Sequence, residues 1–129
     1  MTDSIAEMAK MHASPTTEIT TISPKWGPRS IEGHFEESIA ALATIETVAM
    51  YKDEYDAFVI ACYGDPAVAA CREITDKPVI GIGEASMHMA CFLGHQFSIN
   101  LGGMHSMGMY ADLDARNLAP IIHGHRGAR

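Results

Sequence analysis

The run Phe58-Val59-Ile60-Ala61-Cys62 gives way at once to Tyr63-Gly64-Asp65-Pro66. A short, continuous apolar stretch closed by a glycine and an Asp-Pro pair is the pattern of a buried strand handing the chain to a helix. No other segment restricts the fold as much. A strand that is apolar on both faces belongs in the middle of a parallel sheet, with helices packed against it. Cys62 stands at the junction, where the partial positive charge of a helix N-terminus is expected to lower a thiol pKa and favour the thiolate. Asp65 suits the N-cap of that helix and Pro66 its first position.

Helix and strand signals alternate through the rest of the chain. Thr2 or Asp3 caps a first helix with Ile5, Met8, Ala9 and His12 on one face, and Ser14-Pro15 ends it. The β-branched run Glu18–Ile22 predicts a strand, and Pro24, Gly27, Pro28 and Gly33 mark a loop after it. A longer helix is predicted from about Phe35 to Tyr51, with Ile39, Leu42, Ala43, Thr47 and Met50 inward and Glu36, Glu37 and Glu46 outward. The strand Ala57–Cys62 and its helix, reaching about Thr75, come next. Val79-Ile80-Gly81-Ile82 predicts a further strand, Gly83-Glu84 opens a helix over Ala85–Leu93 that Gly94 stops, and Gln96–Asn100 predicts a fourth strand. This order is that of an α/β protein with a parallel sheet in a three-layer αβα lobe. The lobe is expected over residues 1–101. Residues 102–129, with Gly102-Gly103, Gly108 and the tail from His123 to Arg129, carry no convincing strand and are expected to form a divergent, weakly structured end.

Composition narrows the function classes. The chain has 129 residues, room for one domain with a core, and a formal net charge of -7 without a basic stripe. That argues against nucleic acid or an anionic membrane surface as partner. No apolar run approaches the ~18 residues of a membrane span, and Met1 to Lys10 lack a signal-peptide pattern. Three cysteines predict free thiols rather than a disulfide framework, so a cytoplasmic location is expected. The nine methionines read as adaptable core filling.

The residues able to carry chemistry are few. Cys62 is the candidate reactive thiol; Cys71 and Cys91 lie among apolar neighbours on helices, where cysteine is usually inert. His88 and Cys91 are three apart on one helix but offer only two ligands, and His123 and His125 fall in the tail, so no metal site is expected. Gly81-Ile82-Gly83-Glu84 resembles half a dinucleotide fingerprint and lacks its third glycine, so no nucleotide cofactor is expected. It still aims backbone N–H groups from a helix start toward the carboxyl edge of the sheet, where a carboxylate, an imide oxygen or an enolate would be bound. Glu84 reads as a first-turn helix carboxylate. Trp26 is a lone loop aromatic suited to plugging one edge of the core.

Three blocks, Ala61-Cys62-Tyr63-Gly64-Asp65-Pro66, Gly81 to Ala90 and Gly27-Pro28-Arg29-Ser30-Ile31-Glu32-Gly33, resemble the hydantoin/allantoin racemases of the aspartate/glutamate racemase superfamily. The resemblance runs from Met1 to about Ile99. It implies cofactor-independent racemisation at a carbon next to a carbonyl, with one cysteine removing the α-proton as thiolate and a second returning a proton on the opposite face as thiol. Cys62 matches the first-lobe cysteine. Tyr63, Gly64, Gly83, Glu84, Ser30 and Ile31 are then expected to border a hydantoin-like substrate. The family usually opens with a strand and an Asn-Pro-Asn-Thr-type loop and carries a second lobe with its own cysteine. This chain is therefore expected to be a piece trimmed at both ends. The competing expectation is a non-catalytic α/β module that binds a ligand or dimerises, because an exposed strand edge invites pairing with another chain; homo-oligomerisation is expected on either reading.

Overall fold

A computed structural model describes residues 2–94, 97 and 99. Six elements follow in order: α1 (Thr2–His12), α2 (His34–Tyr51), β1 (Phe58–Ile60), α3 (Val68–Ile74), β2 (Val79–Gly81) and α4 (Ile82–Leu93). The two strands pair in parallel, Phe58 with Val79, Val59 with Ile80 and Ile60 with Gly81. β1, α3 and β2 thus form one crossover unit, the connection that parallel neighbours require. The protein is α/β with a parallel sheet, as its element order implies.

Strand alternation sets the core. Val48 of α2, Val68 and Cys71 of α3 and Val79 of β2 are buried together, with Ile45, Phe58, Ile60, Ala67 and Ile74 packed around them. Phe58, Ile60 and Val79 therefore face the layer made by α2 and α3. Val59 and Ile80, register partners one residue along, project from the opposite face and are 62% and 43% exposed. Truncating Val48 to alanine removes two methyl groups from this buried cluster. We expect a loss of about 2 kcal/mol from transfer and cavity terms together, measured as a lower urea midpoint at unchanged m-value.

Several sequence expectations are corrected. Residues 18–22 form no strand; β-branched composition favours a pleated surface but supplies no partner, and a strand exists only in a ladder. Among the described residues β1 pairs with β2 alone. The inner stripe of α2 runs through Ala43 and Val48, while Leu42 and Met50 are exposed. The cause is what α2 meets: α3 covers the Ile45–Val48 side, and the loop at Trp26-Gly27 lies along the helix. There the indole N–H donates to Glu46 and Gly27 abuts Ala43, and Trp26 itself stays 46% exposed rather than plugging the core. The proposed fourth strand, Gln96–Asn100, and the segment 102–129 lie outside the described residues.

Candidate active site

The carboxyl ends of both strands converge on one place. Directly after β1, the segment Cys62-Tyr63-Gly64-Asp65 makes a tight turn closed by the Asp65 N–H donating to the Cys62 carbonyl at 2.9 Å. Directly after β2, α4 starts at Ile82 with no intervening loop. Because the strands are parallel neighbours, Cys62 and Gly83 are carried to the same edge.

Asp65 joins the two. It was expected to cap the helix that follows it in sequence; it caps the other one. Its φ of 51° is left-handed, its side chain is buried, and its carboxylate accepts the Gly83 N–H at 2.9 Å and the Glu84 N–H at 2.6 Å. The helix it was assigned to starts only at Val68, after Ala67 in a second left-handed conformation, with no side-chain cap. Only residues without side chains fit beneath the carboxylate. A Cβ on Gly81 would overlap it, and one on Gly83 would overlap the Tyr63 carbonyl and stand 2.9 Å from Asp65 Oδ2. The glycines of the Gly-x-Gly pair thus admit a neighbouring turn rather than a phosphate.

This arrangement alters the expected role of the α4 N-terminus. The Gly83 and Glu84 amides, expected to be free donors, already hold the protein's own carboxylate. Glu84 is equally engaged: its carboxylate pairs with the Arg72 guanidinium from α3, whose Nε donates to the Val79 carbonyl at 2.9 Å. Ser86 Oγ, one turn into α4, donates to the Gly83 carbonyl at 2.8 Å and lies 3.1 Å from Tyr63 Oη.

Cys62 is half-buried and free, and its sulfur accepts the Gly64 N–H. Its thiol is pushed above the ordinary thiol range, first by burial, then by the carboxylates of Asp65 and Glu37, against the lowering effect of the Gly64 amide. The lowered pKa expected from a helix start is not found. α3 begins six positions downstream and spans seven residues, too far and too short for its dipole to outweigh burial and two negative charges. At neutral pH the resting form is therefore the neutral thiol. Alkylation of Cys62 by iodoacetamide should climb with pH and keep climbing where a cysteine-containing peptide has levelled off, near pH 9; peptide-resolved mass spectrometry reads the rate. A plateau below that of the peptide would contradict the burial of the sulfur.

Ser30 is exposed and Ile31 half-buried in the loop that enters α2. The first turn of that helix carries Glu37, which acts electrostatically on Cys62 and is held by His34 Nδ1 at 3.1 Å. Sequence reasoning placed Glu37 on the outer face and missed its approach to the sulfur. It also missed the Asp65 and Arg72 ties, for which the signal was the pairing of Gly64-Asp65 after one strand with Gly81-x-Gly83 after the next. Cys71 is fully buried within the core. Among the described residues no group of three or more His, Cys, Asp and Glu is placed to hold a metal, and no helix is long and apolar enough to cross a membrane.

A thiol at the carboxyl end of a parallel strand, beside the start of the helix that follows the neighbouring strand, defines an α/β protein with a candidate site at the sheet edge. The Asp/Glu/Hydantoin racemase family model matches residues 1–113, and the chain belongs to that family. It is 46% identical over 100 residues to a hydantoin racemase of Pseudomonas sp. (strain NS671), covering 77% of this chain and 40% of that protein. With a hydantoin racemase of Paenarthrobacter aurescens it shares 44% over 101 residues, 77% of this chain and 43% of the other. The solved allantoin racemase of Klebsiella pneumoniae superposes with a TM-score of 0.91 at 37% identity, over 95% of this chain and 51% of that one. The allantoin racemase of Pseudomonas fluorescens gives 0.85 at 33% identity, over 98% and 56%. The chain thus spans about two fifths of those curated relatives and about half of the solved structures.

Proposed function

We propose that this chain is a racemase lobe acting on a hydantoin-like ring, a 5-substituted hydantoin or allantoin, with Cys62 exchanging the α-proton on one face. The observation that carries the proposal is the sulfur itself, half-buried at the carboxyl end of β1 with an amide N–H directed at it. As thiolate, Cys62 takes the proton from the ring carbon next to the carbonyl, forming S–H; the electron pair moves onto the carbonyl oxygen as an enolate. Return of a proton to carbon restores the ring. The neutral thiol that predominates at neutral pH suits Cys62 to that second, donating half of the cycle. On this reading Tyr63, Gly64, Gly83, Glu84, Ser30 and Ile31 border the substrate. No cofactor is needed, since a ring carbon beside a carbonyl requires only a base, an acid and donors to oxygen.

The test is proton NMR of a 5-substituted hydantoin in D2O with the chain present. Loss of the α-proton signal above the buffer rate, stopped by prior alkylation mapped to Cys62, supports the reading. Exchange that alkylation leaves untouched overturns it. Polarimetry on the same samples separates exchange on one face from full racemisation.

Self-association belongs to the same reading. The exposure of Val59 and Ile80, neighbours on one sheet face, supports it, and a monomer by light scattering at every concentration tested would refute it. The three free cysteines support a cytoplasmic setting.

A further inference from the structure

We propose that Asp65 is a positioning residue for Cys62: its buried carboxylate clamps the thiol-bearing turn onto the first amides of α4 and so sets where the sulfur stands. The inference deepens the racemase reading above and rests on it for its catalytic meaning. Three observations carry it. The carboxylate makes both of its hydrogen bonds across the fold, to Gly83 N–H and Glu84 N–H, eighteen and nineteen residues away in sequence. Its own backbone stands in a left-handed conformation, which L-residues rarely adopt and which persists where the surroundings over-determine it. Gly81 and Gly83 are the two positions where a Cβ would collide with this clamp, so the cavity under the carboxylate is matched to it. Tyr63 and Gly64, the two residues between sulfur and clamp, leave little slack: the Asp65 N–H returns to the Cys62 carbonyl, and the Tyr63 carbonyl lies against Gly83.

The clamp also places a negative charge beside the thiol. The charged groups acting on the pair come from the turn itself and three helices: Glu37 of α2 and Asp65 act on Cys62, while Glu84 of α4 and Arg72 of α3 act on Asp65. A group that only held the fold together would not bear on the titration of the sulfur; the Asp65 carboxylate, after burial, pushes that titration up.

The decisive comparison is Asp65→Asn against Asp65→Ala in the full chain. The amide keeps an acceptor for one of the two N–H groups and discards the charge; alanine discards both. For Asp65→Asn we expect the midpoint of Cys62 alkylation against pH to fall by about half a unit, read as a rate about threefold higher at neutral pH. The amide resonances away from the site should stay unchanged. For Asp65→Ala we expect the Gly83 and Glu84 amide resonances to lose their protection from exchange as well. An Asp65→Asn chain that is folded and alkylates with the wild-type midpoint overturns the proposal.

Should Asp65→Asn fail to fold, the wild-type chain decides the question. The Gly83 and Glu84 amide shifts and the Cys62 Cβ shift should then titrate with one common midpoint above the ordinary carboxylate value. Independent or flat shifts overturn the proposal. These readouts need no turnover. Absence of hydantoin exchange in the wild type would remove the racemase reading while leaving the clamp to be judged by its own data.

Discussion

Cys62→Ser is expected to lower α-deuterium incorporation into a hydantoin by about a thousandfold or more, an increase of roughly 4 kcal/mol in the barrier. Serine occupies the same site, half-buried at the end of β1, and can still accept the Gly64 N–H. What it lacks is acidity. Even a thiol raised by burial and by two neighbouring carboxylates ionises far more readily than an alkyl hydroxyl. The protein's fold should be indifferent to the change, because Cys62 is not part of the buried cluster of Val48, Val68, Cys71 and Val79. Exchange measured by NMR, with thermal unfolding as control, separates the two effects. A serine variant that retains wild-type exchange at an unchanged melting temperature would exclude the sulfur from the chemistry.

The second large effect concerns a residue with no side chain. Gly83→Ala is expected to destabilise the chain by about 3 kcal/mol, a sizeable part of the 5–15 kcal/mol that holds an ordinary domain. The sign is what makes the test sharp. Gly83 is the second residue of α4, where helix propensity alone predicts a gain of up to about 1 kcal/mol for alanine. The tertiary contact predicts the reverse, because a new Cβ would overlap the Tyr63 carbonyl, a backbone atom, and press on Asp65 Oδ2 at 2.9 Å. Neither neighbour can rotate away: the carbonyl belongs to the tight turn and the carboxylate is held by two amides. Urea denaturation followed by circular dichroism gives the answer, and an unchanged or higher midpoint would show that the turn after Cys62 is looser than its contacts imply.

Much of the secondary structure was legible from local signals. The helices at Thr2–His12, His34–Tyr51 and Ile82–Leu93 start and stop within a few residues of where capping groups, glycines and prolines put them. β1 and β2 fall inside the two apolar runs. The failures share one cause. The run at 18–22 has strand composition without a strand's partner, and α2 turned Val48 inward beside the expected Ala43 while leaving Leu42 and Met50 exposed. Propensity and periodicity describe what a segment can bury; the neighbouring element decides which of several apolar positions it does bury.

At the site, the order Cys-Tyr-Gly-Asp-Pro after one strand and Gly-Ile-Gly-Glu after the next was enough to bring these residues to one edge, because parallel strands joined by a helix carry their ends to the same side. The amino-acid order alone therefore determined the parallel α/β arrangement and the place of the thiol within it. Which helix Asp65 caps, which amides remain open to a ligand, and whether the sulfur rests as thiol or thiolate were decided only in three dimensions. The first two depend on hydrogen bonds between groups eighteen and nineteen residues apart in sequence, and the third on the burial of the sulfur and on Glu37 of another helix as well as on its own turn; burial, Coulomb forces and hydrogen bonds act on distance in space.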